Sequence, residues 1–160
     1  MIILGLDPGT ATTGYGVIRK ISRQIHCLAY GTINTSPDMS MSRRLEIIFD
    51  DDLGELISRY RPDAAAIEQL FFGRNTTTAI TVGQARGILL LRLEQSGIPI
   101  GEYTPMQVKN ALVGYGGAEK KQVQYMVQHF LQLPELPRPD DAADALAIAI
   151  CHAHSMGGNI

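Results

Sequence analysis

Apolar positions along this chain follow two rhythms. Ile2-Ile3-Leu4-Gly5-Leu6 is a short continuous apolar run that ends in Asp7 and a Pro8-Gly9 turn. Such a run suits a strand covered on both faces of a sheet. Residues 14–20 and 25–34 read as second and third strands, and the short connections between the three predict antiparallel hairpins. Thr35-Ser36-Pro37-Asp38 is a loop, and Ser42 caps a long helix with Leu45, Ile48, Phe49, Leu53, Leu56 and Ile57 on one face. Pro62 lies just past its end. Residues 63–69 predict a fourth strand that, like the first, ends in a carboxylate, Glu68. After a loop over residues 70–75 come a helix from about Thr76 to Gln95 and a fifth strand over residues 98–103. Helices over residues 104–112 and 118–133 flank the Gly114-Tyr115-Gly116-Gly117 loop. Pro134, Pro137 and Pro139 precede a last helix from about Asp140 to His154. Strand–helix–strand order in the second half implies parallel pairing with right-handed crossovers. The expectation is an α/β fold with a mixed five-stranded sheet, three strands antiparallel and two parallel, flanked by helices. Residues 1–155 form one domain and 156–160 a C-terminal tail.

Composition adds bounds rather than direction. The chain has 160 residues, 45% of them apolar and 19% charged, enough to bury a core in one domain. No segment has the length of a membrane span, and the first residues read as a strand rather than a cleavable signal. Cys27 and Cys151 lie in apolar surroundings without metal or redox spacing, so a reducing cytoplasm is inferred. A formal net charge of −2 gives no global attraction to nucleic acid. Between Gln69 and Tyr125, however, six basic side chains face three acidic ones. That imbalance marks a candidate basic surface.

Candidate chemistry centres on carboxylates. Asp7 and Glu68 each end a predicted strand, and Asp141 and Asp144, three apart at the start of the last helix, share a face. Hard divalent cations take oxygen ligands. Two of them about 3.5–4 Å apart activate water and stabilise the leaving oxygen in phosphodiester cleavage. Structural roles compete with this reading. Acids in a helix's first turn complement its dipole, and Glu68 would also serve as a surface strand end. Asp140 and Asp144, four apart, share a face as well as Asp141 and Asp144 do, so spacing leaves that choice open. Asp144 is followed by the apolar run 145–150, where free solvation is hard to arrange. Asp50, Asp51 and Asp52 are consecutive on a helix and diverge by about 100° each, as a solvated face does. His152 and His154 point to nearly opposite sides and do not form a joint metal site. Phe71 and Phe72 are adjacent in the loop after Glu68, where both cannot easily be buried. An exposed aromatic there would stack on a base or wedge into a base step. Ala79, Gly83 and Gly87 recur every four residues, admitting close approach by the chain's own sheet or by a partner helix.

Four blocks taken together resemble the bacterial RuvC Holliday-junction resolvases: Ile3-Leu4-Gly5-Leu6-Asp7-Pro8-Gly9-Thr10, Ile67-Glu68-Gln69, Gly83-Gln84-Ala85-Arg86-Gly87 and Asp141-Ala142-Ala143-Asp144-Ala145-Leu146-Ala147. The opening motif also occurs in actin-like kinases, but all four in this order and spacing are specific. The resemblance is collinear over essentially the whole chain. It implies a ribonuclease H-like fold and a structure-selective endonuclease of recombination and repair. It further implies a homodimer that resolves four-way DNA junctions with paired symmetric nicks, leaving 5′-phosphate and 3′-hydroxyl ends. By the same resemblance Asp7, Glu68, Asp141 and Asp144 hold two Mg²⁺ ions per site, with Mn²⁺ as a substitute. Asp7 then lies between the ions, Glu68 on one side, Asp141 and Asp144 on the other. Lys109 and Lys120 match positions near the bound phosphate, Lys121 and Arg74 are DNA backbone contacts, and Phe71 matches the stacking position. Ala79, Gly83 and Gly87 become a dimer helix. Implied partners are a junction-binding protein and a branch-migration motor of the RuvA and RuvB type. Two alternatives stand against this. A non-catalytic junction-binding protein is disfavoured by four intact acids, and an actin-like kinase or ATPase fragment by a chain long enough for one lobe only.

Overall fold

A computed structural model describes residues 1–69 and 76–157. Its centre is a five-stranded sheet in the order β3-β2-β1-β4-β5. The strands are β1 (Ile2–Asp7), β2 (Thr12–Ile21), β3 (Gln24–Asn34), β4 (Ala64–Glu68) and β5 (Ile100–Tyr103). The first three pair antiparallel through tight connections. β4 joins β1, and β5 joins β4, in parallel. The mixed sheet expected from the sequence is the one observed.

Helices cover both faces. One side carries α1 (Met41–Glu46), a π-helical segment (Ile47–Asp52), α2 (Leu53–Tyr60) and α3 (Thr76–Gln95). The other carries α4 (Pro105–Val113), α5 (Lys120–Leu131) and α6 (Asp140–Ser155). Strand alternation divides the core accordingly. Leu4, Leu6, Val17 and Ile67 pack with Leu53, Leu89 and Leu93. Ile3, Ile18 and Ala66 pack with Val108, Val127, Leu146 and Ile150. On β1, positions 3, 5 and 7 share a face, so Asp7 is directed to the α6 side. Glu68 follows Ala66 on that same side.

Beyond its first turn α6 is buried almost all round, and it lies unusually close to the sheet. A Cβ built on Gly5 would stand 2.2 Å from the Ala145 carbonyl oxygen, and one on Gly16 2.7 Å from the Leu146 side chain. Glycine on the strands and alanine on the helix are therefore what set the depth at which α6 sits.

Several boundaries differ from the sequence reading. Ser40, not Ser42, caps the first helix, its side chain accepting from the Arg43 N–H. Ile48 and Leu53 are both fully buried although five residues apart. An α-helix would turn them about 140° from one another, whereas the wider π turn aligns them, with the Leu53 N–H donating to the Ile48 carbonyl. β5 begins at Ile100 rather than Ile98, and Thr104 is the cap of α4, not its first residue. α5 begins at Lys120 because Glu119 and Gln122 form a capping box there. Among the described residues no helix is long and apolar enough to cross a membrane.

Candidate active site

The parallel register aligns Leu6 with Ile67, so the next pair along, Asp7 and Glu68, comes to the same edge of the sheet. The backbone after Asp7 is tied down at several points. Thr13 Oγ1 donates to the Gly9 carbonyl at 2.6 Å, Thr10 Oγ1 to the Thr81 carbonyl at 2.9 Å, and Thr35 Oγ1 to the Thr10 carbonyl at 2.6 Å. Thr10, Thr13 and Thr35 are buried, and each hydroxyl is satisfied, as burial requires. The Pro8-Gly9-Thr10 turn is thus a fixed support for the carboxylate before it.

The amino end of α6 arrives opposite this edge. Asp7, Asp141 and Asp144 each offer a carboxylate oxygen, and these oxygens lie within 4.8 Å of one another. Glu68 is outside that trio. It lines a pocket with Asp144, Lys109 and Lys120, over a floor that includes Val108, Val123 and Ala147. Three elements distant in sequence, two strand tips and one helix start, therefore deliver four acids to one place.

Spacing alone left Asp140 and Asp141 equivalent, and the tertiary structure separates them. Asp140 accepts from Gln124 Nε2 at 3.0 Å and pairs with Lys120 at 3.4 Å and Arg138 at 3.7 Å. The Gln124 hydrogen bond, then Lys120, hold its carboxyl below the ordinary range. Asp141, one residue later, is the one that joins Asp7.

Burial and mutual repulsion raise three of the acids, Asp7, Glu68 and Asp144. Burial, then the charges of Glu68, Asp144 and Asp141, push the Asp7 carboxyl up to about 8, with Lys120 pulling the other way. Glu68 is raised by burial and by Asp144 against the opposing pull of Lys109. Asp144 is raised by burial, opposed by Lys120 at 3.5 Å. Partial burial would lower the Lys120 ammonium, but Asp144 and Asp140 hold it above its usual value. Crowded, poorly solvated carboxylates of this kind lack positive charge.

The other sequence candidates distribute as follows. Lys109 and Lys120 border the acidic pocket, whereas Lys121 is exposed on α5 and does not line it. Phe71 and Arg74 lie outside the described residues. On α3, Ala79 is buried in the chain's own body, Gly83 is half-buried and Gly87 is exposed, with open space where a Cβ would be. Ile80 and Leu91 are the large exposed apolar side chains of that helix. Asp50 and Asp51 are exposed. His152 and His154 part as expected, the first to Tyr103 Oη at 2.7 Å, the second to the Ala111 carbonyl at 3.3 Å.

Sequence reasoning missed two supports of the site. Arg86 on α3 donates to the Glu68 carbonyl at 3.0 Å and forms an ion pair with Glu102. Gly14, the partner of Asp7 across the β1–β2 ladder, lies under the first turn of α6. Arg86 falls inside the Gly83–Gly87 block, where its sequence gives it no partner, and Gly14 reads as one strand glycine among several.

Comparisons with known proteins agree on one family. The family model described as crossover junction endodeoxyribonuclease RuvC matches residues 3–152. The crossover junction endodeoxyribonuclease RuvC of Syntrophomonas wolfei is 57% identical over 155 residues, covering 97% of this chain and 90% of that protein. The solved structure of Thermus thermophilus RuvC in complex with Holliday junction substrate superimposes with a TM-score of 0.91 at 41% identity, covering 98% of this chain and 96% of that one. The yeast mitochondrial Holliday junction resolvase, 14% identical over 97% of this chain and 80% of its own, shares the fold with a TM-score of 0.68.

Proposed function

The chain belongs to the RuvC family of crossover junction endodeoxyribonucleases, and from that membership we propose that it resolves Holliday junctions in recombination and repair. It acts through a site made of Asp7, Glu68, Asp141 and Asp144. The observation that carries this reading is the meeting of Asp7, Asp141 and Asp144 oxygens within 4.8 Å, beside Glu68 and two lysines.

These residues fit a hard divalent cation. Every donor is a carboxylate oxygen, the preferred ligand of Mg²⁺, and Asp7 is pushed up to about 8 by burial first and then by the neighbouring carboxylates whose charge a cation would neutralise. Asp7, Asp141 and Asp144, with Glu68 adjoining, would hold two Mg²⁺ ions, or Mn²⁺ in their place. Bound there, the metal supplies a nucleophilic water and stabilises charge on the leaving oxygen.

The chain's own groups do the rest. The fixed turn after Asp7 and the close seating of α6 hold the acids in place before substrate arrives, so little rearrangement is needed at the moment of reaction. Lys109 and Lys120 sit where a phosphate entering the pocket would meet positive charge. Lys121 and Arg74 extend the contact to neighbouring phosphates, which positions DNA without reading sequence, and Phe71 stacks on a base. Hydrolysis leaves a 5′-phosphate and a 3′-hydroxyl. Residues 1–155 act as one nuclease domain.

A symmetric four-way junction calls for two sites related by a two-fold axis. A homodimer along α3 provides them. Ile80, Gly87 and Leu91 form an outward stripe in which the glycine lets a second helix approach. Ala79, being buried in its own chain, supports α3 from behind. Partners of the RuvA and RuvB type deliver the junction, in the cytoplasm.

The test is incubation of the purified protein with a labelled four-way junction and with plain duplex, with and without Mg²⁺. Paired nicks in the junction alone, dependent on Mg²⁺, are expected. Asp7→Asn should abolish them while leaving junction binding intact. Equal cutting of duplex would remove the junction-selective reading, and cleavage by Asp7→Asn the metal role.

A further inference from the structure

We propose that Met106 and Tyr115 form a ledge that holds a nucleotide of the cut strand beside the scissile phosphate. The inference rests on the reading that the acidic pocket cleaves DNA, and it adds a contact surface on the α4–α5 side.

Both side chains are exposed, Tyr115 by 50% and Met106 by 67%. Single exposed apolar residues are ordinary, so exposure alone decides nothing. These two differ in how they are held and in what they adjoin. The Tyr115 hydroxyl donates to Gln122 Oε1 at 3.0 Å, and that same oxygen accepts the Glu119 N–H at 2.8 Å. The ring is therefore fastened to the capping box of α5. A Cβ on Gly117 would lie 3.6 Å from the Tyr115 ring, and one on Gly116 3.2 Å from the Met106 terminal methyl. The glycines let the thioether lie against Gly116 and the ring against Gly117, so both side chains rest on the same short loop.

Both ends of that loop lead into the active-site pocket. α4 gives it Pro105 and Lys109, and α5 gives it Lys120 and Val123. The Gln122 oxygen that holds the tyrosine also holds the N–H of Glu119, the residue before Lys120, and Met106 follows Pro105 in the first turn of α4. The ledge thus adjoins, just outside the pocket, the segments that bring Lys109 and Lys120 to it. Lysines attract the phosphates of a strand but are indifferent to the base attached to each. An aromatic ring and a polarizable thioether next to them suit the flat face of that base. A ring fastened in advance loses little freedom on contact. The chemistry of the occupant is therefore a nucleotide adjacent to the phosphate held by Lys109 and Lys120.

The test uses the full chain and a labelled four-way junction whose cut position has been mapped. Tyr115→Ala should reduce single-turnover cleavage at subsaturating protein by about tenfold, the range typical of one lost base stack. Tyr115→Phe keeps the ring, loses the hydrogen bond, and should stay within about twofold of the parent by the same reasoning. Tyr125→Ala removes an exposed tyrosine elsewhere on α5 and should change nothing. A 2-aminopurine next to the mapped cut should be quenched on binding to the Asp7→Asn protein, and less so when Tyr115→Ala is added. Melting temperatures exclude misfolding as the cause. Wild-type cleavage by Tyr115→Ala would overturn the proposal. So would equal damage from Tyr115→Phe, which would assign the tyrosine to holding the loop through its hydroxyl. If the parent chain cuts no junction, the nuclease reading falls and this one with it. If the parent cuts and Tyr115→Ala cuts equally, only the ledge falls.

Discussion

Gly14 and Asp141 meet with no room for a side chain between them: a methyl on Gly14 would stand 1.9 Å from the Asp141 carbonyl oxygen. Gly14 is also the antiparallel partner of Asp7. One glycine therefore sets the gap between the strand that carries the first acid and the helix turn that carries the third.

Gly14→Ala should push the start of α6 off the sheet and separate Asp141 from Asp7. Overpacking of this kind costs about 1–3 kcal/mol, which in a domain of this size lowers the melting temperature by several degrees. Its distinguishing mark is functional. Calorimetric titration with Mn²⁺ should show affinity falling more than stability does, and unchanged affinity would refute the spacing role.

The metal-free protein should lose stability as pH rises. Asp7 holds its proton up to about 8 in the fold, against 3.8 for the unconstrained carboxyl. Between those values the native state binds more protons than the unfolded state, so the contribution of Asp7 to stability is full below about pH 4 and is lost on the way to pH 8. The slope from one such group is at most about 1.4 kcal/mol per pH unit. Glu68 and Asp144, also raised, act in the same direction. Denaturant titrations across this window should show the decline. Asp7→Asn should reduce it, and added Mg²⁺ should relieve it in the parent protein alone.

Lys120→Met should slow cleavage more than it weakens junction binding. The lysine is the cation closest to both Asp140 and Asp144, and in the proposed reaction it faces the phosphate being cut. A loss of about a hundredfold in single-turnover rate is expected for a removed charge-stabilising donor. Binding measured over a salt series should lose about one unit of log–log slope. A rate that falls only in step with affinity would make Lys120 an ordinary backbone contact.

Leu91→Glu on the outer stripe of α3 should produce monomers in sedimentation experiments. The same variant should nick junctions singly, if at all, while keeping the melting profile of the parent. Leu91 is 51% exposed, so its own core does not depend on it. A dimer unaffected by the charge would move the two-fold contact to another surface.

Much of this architecture is readable from the chain because its signals are local. The apolar run before Asp7, the Ala64-Ala65-Ala66-Ile67 approach to Glu68 and the long helical periods each reflect covalent neighbours and their burial, and the sheet followed from the lengths of the connections. What escaped depended on contacts distant in sequence. Asp140 and Asp141 are equivalent by spacing, and it is Gln124 and Lys120, brought in by folding, that draw Asp140 aside. The π turn exists because Ile48 and Leu53 must both reach one core, which helical periodicity does not register. The stripe on α3 was read from small residues at intervals of four. Folding turns Ala79 inward and leaves Ile80 and Leu91 outside, since the sheet, not the spacing, decides which way a helix faces.

Arg86 binds the backbone of Glu68 from α3 and is itself braced by Glu102. In a dimer joined along that helix, each cutting edge is mounted rigidly on the common axle. The interval between the two incisions is then a gauge built into the protein, not a distance chosen by the DNA. In such a dimer, a junction whose crossover point wanders would be cut where its two strands match that gauge.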